Sequence, residues 1–172
     1  MNNSAVVAVV VLALLAGCDS VAQYKGDGKL VDNGMTAAKD RYVLNLGDAS
    51  LRSTTTKTFK IRDLPKENYV IGIDLRAPEG SKIDPKSIAP VVSITLTEDG
   101  KPLLEKHGRL SEWTWSVLSP GERAFVYDDG KPGTYFDSHP GKNYELTFVV
   151  KEPDRGNLNY TASLVAKSGG WK

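Results

Sequence analysis

Tyr144-Glu145-Leu146-Thr147-Phe148-Val149-Val150-Lys151 is the stretch on which the fold turns. Successive side chains of an extended chain point to opposite faces. Tyr144, Leu146, Phe148 and Val150 therefore share one side, and Glu145, Thr147, Val149 and Lys151 the other. The same period of two recurs close by. Tyr160, Ala162, Leu164 and Ala166 alternate with Thr161, Ser163, Val165 and Lys167. Upstream, Tyr69, Ile71, Ile73 and Leu75 alternate with Val70, Gly72, Asp74 and Arg76. Three half-buried strands are thus written into the chain, and no segment carries the 3.6-residue apolar period of a long amphipathic helix.

Weaker strands fill the intervals. Tyr42, Leu44 and Leu46 share a face, and Thr54 to Ile61 is β-prone. Val92, Ile94 and Leu96 lead into Asp99-Gly100, a dipeptide suited to a tight hairpin. Pro102 predicts that the returning strand starts late. Gly100 to Leu110 contains Leu103, Leu104 and Leu110, interrupted by Pro102 and Gly108, and reads as a weak strand or a short helix. Pro85 to Ile88 suits a single helical turn. Trp113, Trp115 and Val117 share a face, and Phe125 and Tyr127 lie opposite Ala124 and Val126. A loop is expected from Asp128 to Gly141. Short strands separated by Gly, Pro, Asp and Asn predict an all-β fold. The expectation is an antiparallel β-sandwich of eight or so strands, immunoglobulin-like or jelly-roll, with a closed barrel as the alternative. Each sheet is expected to keep a polar, wet outer side.

The amino-terminal end is of another kind. Ala5 to Leu15 is wholly apolar, long enough for the core of an export signal and too short to span a bilayer. It is followed by Leu15-Ala16-Gly17-Cys18, where Cys18 is the single cysteine of the chain. This run resembles the lipobox of bacterial membrane lipoproteins. The resemblance covers the first eighteen residues and implies lipid on the Cys18 sulfur, cleavage between Gly17 and Cys18, and acylation of the new amino terminus. Met1-Asn2-Asn3-Ser4 departs from the usual pattern in carrying no Lys or Arg. Asp19 is similar to the inner-membrane retention signal of enteric lipoproteins. The implied organisation is a signal peptide over 1–17, a lipidated cysteine and linker over 18–41, and a β-sandwich over 42–172. Within the linker, Lys29-Leu30-Val31 suits an added edge strand. Anchored by more than one acyl chain, the protein would be held firmly at the periplasmic or surface face of a membrane, the inner membrane being favoured by Asp19 and the outer membrane the alternative. The same anchor would take up the one thiol, which excludes a cysteine nucleophile and a thiolate metal site.

Composition narrows the function further. The net charge of +1 argues against a nucleic-acid partner. His107 and His139 are the two histidines and stand far apart, without the short-spaced pair that zinc sites favour. No nucleophile-elbow sequence is present, and acidic residues are scattered without the context of a glycosidase pair. Asp128, Asp129 and Asp137 suggest calcium, but their spacing is not that of an EF-hand and Lys131 intrudes. They read as turn residues. No cofactor or metal is expected.

Aromatic residues supply the remaining candidates. Trp113, Trp115, Tyr127 and Tyr135 lie close in sequence and would suit a platform for sugar rings. The competing reading places the two tryptophans in the core. Trp171 near the carboxyl terminus is expected to be tucked over the sandwich rim, the alternative being that it is offered to a partner. The expectation is a non-enzymatic envelope lipoprotein that touches another envelope protein, with a glycan-binding module as the alternative.

Overall fold

The computed structural model describes residues 21–34, 40–118, 121–130, 134–156 and 159–168. These residues form β1 (Lys25–Gly26), β2 (Lys29–Asp32), β3 (Tyr42–Asp48), β4 (Thr55–Arg62), β5 (Asn68–Arg76) and β6 (Val91–Glu98). They continue through β7 (Lys101–Arg109), β8 (Thr114–Leu118), β9 (Arg123–Tyr127), β10 (Tyr135–Asp137), β11 (Asn143–Glu152) and β12 (Thr161–Ser168). The smaller sheet has the order β1-β4-β11-β6-β7. The larger runs β2-β3-β12-β5-β9-β8, with β10 pairing the start of β5. Every pairing is antiparallel. The protein is an all-β sandwich of two antiparallel sheets.

The alternation that defines the fold is seen directly. On β11, Tyr144, Leu146, Phe148 and Val150 are buried, while Glu145 and Lys151 are exposed. They meet Ala162, Leu164 and Ala166 of β12 and Ile71, Ile73 and Leu75 of β5 within one apolar core between the sheets. β11 lies in the middle of the smaller sheet, and β12 and β5 are adjacent in the larger. The three best-patterned segments thus occupy interior positions, where one whole face of each is covered.

Asp99-Gly100 forms the hairpin between β6 and β7. Both residues have positive φ (48° and 79°), the conformation that a two-residue turn matched to strand twist needs. The carboxylate of Asp99 accepts from Lys142 Nζ at 2.7 Å and from the Asn143 backbone N–H at 3.2 Å, tying this turn to the start of β11. The helical turn near Pro85 is a 3-10 turn, Pro85–Ser87, capped by the Asp84 side chain.

Several expectations are corrected. β7 begins at Lys101, not late, and is a strand throughout, with no helix between Gly100 and Arg109. Pro102 is accommodated because β7 is an edge strand and its register shifts at Leu96/Thr97, so that Leu103 bulges out of the ladder. Within the expected loop 128–141, Tyr135–Asp137 pairs with β5. The span 18–41, expected to be mainly linker, contributes β1 in addition to the edge strand expected at Lys29-Leu30-Val31, which is β2. Leu30 is buried in the core, β2 pairs with β3, and β1 pairs with the end of β4.

The largest departure concerns the outer side of the larger sheet, for which the sequence predicts a wet face. Val70, Phe125 and Val165 are buried there in a second apolar cluster, with Tyr127 and Tyr135 packed against it. Phe125 reaches across Gly72, whose missing side chain leaves room for the ring. Outward positions that look solvated in the sequence are thereby covered.

Candidate functional site

The four aromatic candidates are divided by the sheet. Trp115 lies opposite Val126 in the β8–β9 ladder and so faces the core. Its indole N–H donates to the Leu110 carbonyl at 2.9 Å. Trp113 follows a 3-10 turn, Leu110–Glu112, and is buried in the core beside Gly108, where a Cβ would stand 2.8 Å from the indole nitrogen. Tyr127 has the opposite parity to Val126 and projects from the outer side. It stacks on Phe125 with ring centroids 5.4 Å apart. Tyr135, opposite Val70 in the β10–β5 ladder, joins the same outer cluster. The structure brings the two tyrosines together, buries Trp113 in the core and packs the half-buried Trp115 against it.

Beside the tyrosines lies a cluster of charge that the sequence does not single out. Arg123 grips the Asp74 carboxylate through Nε, at 3.1 and 3.0 Å, and Nη2, at 2.7 Å. These hydrogen bonds hold the guanidinium in its charged form more firmly than usual. Lys167 is 5% exposed. Its Nζ stands 3.9 Å from both Asp40 and Asp74 and 4.1 Å from the centre of the Phe125 ring. Burial depresses the Lys167 pKa, and the pull of the two aspartates does not restore it. Lys167, Asp74 and Arg123 occupy outward positions of neighbouring strands, so their sequence pattern gives no sign of burial.

The cluster yields a prediction. A lysine whose folded pKa is depressed binds fewer protons folded than unfolded between the two values. Stability therefore climbs as pH rises through that window toward the ordinary lysine value of about 10.4. Lys167→Met removes the buried cation and keeps the stem packed on Phe125, while Arg123 still holds Asp74. Stability at pH 7 is expected to be unchanged or higher by about 1 kcal/mol, and the alkaline climb to flatten. Urea denaturation at pH 7 and pH 10 measures both. A loss above about 2 kcal/mol would show the amine to be a net stabilising partner of the aspartates.

The loop aspartates do not converge on a cation. Asp128 accepts from the Gly130 N–H at 2.8 Å and sits 3.3 Å from Lys106 Nζ. Asp137 accepts from Asn68 Nδ2 at 2.9 Å. Among the described residues no group of three or more His, Cys, Asp or Glu is placed to hold a metal ion. His107 Nδ1 is 3.2 Å from the Val92 carbonyl, and His139 Nδ1 is 3.6 Å from Glu98, so the two histidines serve separate local contacts.

A second surface is one flank of the sandwich. β7 ends the smaller sheet and β8 ends the larger, and the 3-10 turn Leu110–Glu112 joins them. The large apolar side chains most exposed among the described residues are Val117 on β8 (47%), Leu103 on β7 (41%) and Val31 on β2 (39%). All three belong to strands at sheet edges, and the first two share this flank. The sequence marks Val117 only as sharing a face with the tryptophans. Its exposure follows from β8 being last in the sheet, which strand pattern alone does not tell.

Gly17, Cys18 and Asp19, the residues of the lipoprotein reading, and Trp171 lie outside the described residues. No helix among the described residues is long and apolar enough to cross a membrane.

No known protein family matches the sequence, and no curated protein matches it. Among solved structures, the catalytic domain of a GH87 alpha-1,3-glucanase in complex with nigerose aligns at 10% identity with a TM-score of 0.22. A variant of that domain in complex with tetrasaccharides aligns at 11% identity, also with a TM-score of 0.22. In both, the alignment covers 87% of this chain and 27% of the other. A likeness this slight carries no functional argument.

Proposed function

We propose that the protein is a non-enzymatic contact module of the cell envelope, held at the periplasmic face of a membrane by lipid on Cys18. Asp19 favours the inner membrane. The β-sandwich binds another envelope protein. The observation that carries this reading is the flank formed by β7 and β8, where Val117 and Leu103 stay exposed on neighbouring edge strands. An open strand edge presents unpaired main-chain donors and acceptors that template pairing with another chain. The buried lysines already serve internal pairings, Lys106 with Asp128 and Lys167 with Asp74 and Asp40.

The test uses full-length protein in its own cells, with a photo-crosslinking amino acid in place of Leu103 or Val117. At least one position is expected to give an adduct with a second envelope protein. Cys18→Ser is expected to abolish labelling by a palmitate analogue and to reduce the adduct at least tenfold. Absence of an adduct from both positions overturns the contact reading, and persistent labelling overturns the anchor.

One observation favours a second reading. Tyr127 and Tyr135 stay partly exposed over the buried Phe125 on the outer side of the larger sheet, and aromatic faces stack on sugar rings. Calorimetric titration with cell-wall glycan fragments decides it. Saturable binding that is lost in Tyr135→Ala would place glycan recognition first.

A further inference from the structure

Among the described residues five strands have an open side, β1, β2, β7, β8 and β10, and all but β8 carry the features that keep strands from pairing with other chains; β10 is only three residues long and ends at Asp137. β1 is two residues long, and the β4 segment beyond it carries Lys57 and Lys60. β2 is a four-residue strand that begins at Lys29 and ends at Asp32. β7 holds Lys101, Pro102, Glu105, Lys106 and Arg109 and is bulged at Leu103. Charge, proline, bulges and shortness are the usual guards of an edge. β8, Thr114-Trp115-Ser116-Val117-Leu118, has no charge, no proline and an unbroken register with β9. Among the described residues it pairs with β9 alone.

Resting on the contact reading above, we infer that β8 receives an extended segment of the partner protein as one more strand of the larger sheet. The added strand takes up the main-chain donors and acceptors on the open side of β8, which supply affinity, while side chains at alternate positions supply specificity. On the core-facing side it meets Trp115 and Val117, which lie opposite Val126 and Ala124 in the ladder. On the other side it meets Thr114 and Ser116. The partner segment is therefore uncharged over about five residues and apolar at alternate positions, since a charge set against Val117 would lose water without gaining a counter-ion.

Edge area argues against a second copy of this chain. Five residues make a strip about 17 Å long and about 10 Å thick, roughly 170 Å², far short of the roughly 800 Å² per partner that a stable interface buries. A folded second copy meeting β8 edge to edge gains little beyond that strip. An extended segment continues past it, across the flank toward Leu103.

The experiment compares crosslinker at Val117 with crosslinker at Leu103 and at Thr147, a control on the outer side of the smaller sheet, with the adducts sequenced by mass spectrometry. The inference expects a Val117 adduct that maps to an uncharged partner segment, with little at Thr147. Two proline variants, Trp115→Pro and Ser116→Pro, then separate the two sides of the strand. Successive N–H groups of a strand point to opposite sides, so one proline removes a donor facing β9 and the other a donor facing outward. Because Trp115 packs against the core, each proline is compared with alanine at the same position; the proline that costs no urea midpoint beyond its alanine is the outward one, and it is expected to reduce the Val117 adduct at least tenfold relative to that alanine. If neither proline variant folds, Ser116→Lys places a guarding charge on the edge without touching the backbone and is expected to do the same. An adduct that survives these changes, or that maps to a charged segment, overturns strand addition and leaves the contact reading standing. So does an adduct from Leu103 with none from Val117. An adduct of the chain with itself assigns the edge to a second copy and overturns the inference. Silence at both flank positions overturns the contact reading as well.

Discussion

Gly72→Val is expected to leave the domain unfolded or at least about 3 kcal/mol less stable. A Cβ at Gly72 would stand 2.4 Å from the Val126 carbonyl oxygen and 2.7 Å from Cε2 and Cζ of Phe125. The ring is able to turn aside, but the carbonyl belongs to β9 and moves only with that strand. β9 is held to β5 from Ile73 to Arg76 and to β8 on its other side, so yielding would disturb both ladders. The requirement is for space and not for an unusual backbone angle, because Gly72 is not among the glycines with positive φ. Phe125→Ala should therefore rescue Gly72→Val only in part, since it removes the ring contact and leaves the carbonyl. Urea unfolding followed by tryptophan fluorescence measures both variants. A midpoint for Gly72→Val equal to that of the parent protein would show that β9 stands further from β5 than described.

Phe148→Ala is expected to cost about 3–5 kcal/mol, whereas Val149→Ala should cost less than about 1 kcal/mol. Phe148 is fully buried at the centre of β11, between Ile94 on β6 and Lys57 on β4. Truncation removes the ring from the core and leaves a cavity that the flanking strands cannot close, because both are fixed by long ladders. Val149, one residue on, points to the outer side of the smaller sheet and is only half-buried. The pair tests the face assignment of the strand from which the fold is read. Equal losses in chemical denaturation would contradict it.

The period of two is a sound guide where a strand lies inside a sheet and one of its faces is covered. It places β5, β11 and β12 and their buried sides, and Asp99-Gly100 places the hairpin. It misjudges β7, because Pro102 and Gly108 look like breakers until the edge position and the bulge are known. In that strand Gly108 is also the space into which Trp113 packs. It misjudges the outer side of the larger sheet for a related reason. Val70, Phe125 and Val165 sit on three different strands, and their adjacency exists only once those strands are side by side. The candidate site is legible to the same degree. Tyr127 and Tyr135 stand out as aromatics, but their separation from Trp113 and Trp115 depends on which face each strand offers.

Local pattern by itself determined the fold class, the buried faces of the interior strands and the tight turn between β6 and β7, because these follow from the geometry of an extended chain and from the solvent cost of apolar surface. Which strands stand at the edges was decided only by tertiary structure, and with it the exposure of Val117 on an unguarded β8. So were the burial of Lys167 among Asp74, Asp40 and Phe125 and the need for an empty Cβ position at Gly72. Each of these arises from residues far apart in the chain meeting at a few ångströms, and no local periodicity encodes such a meeting.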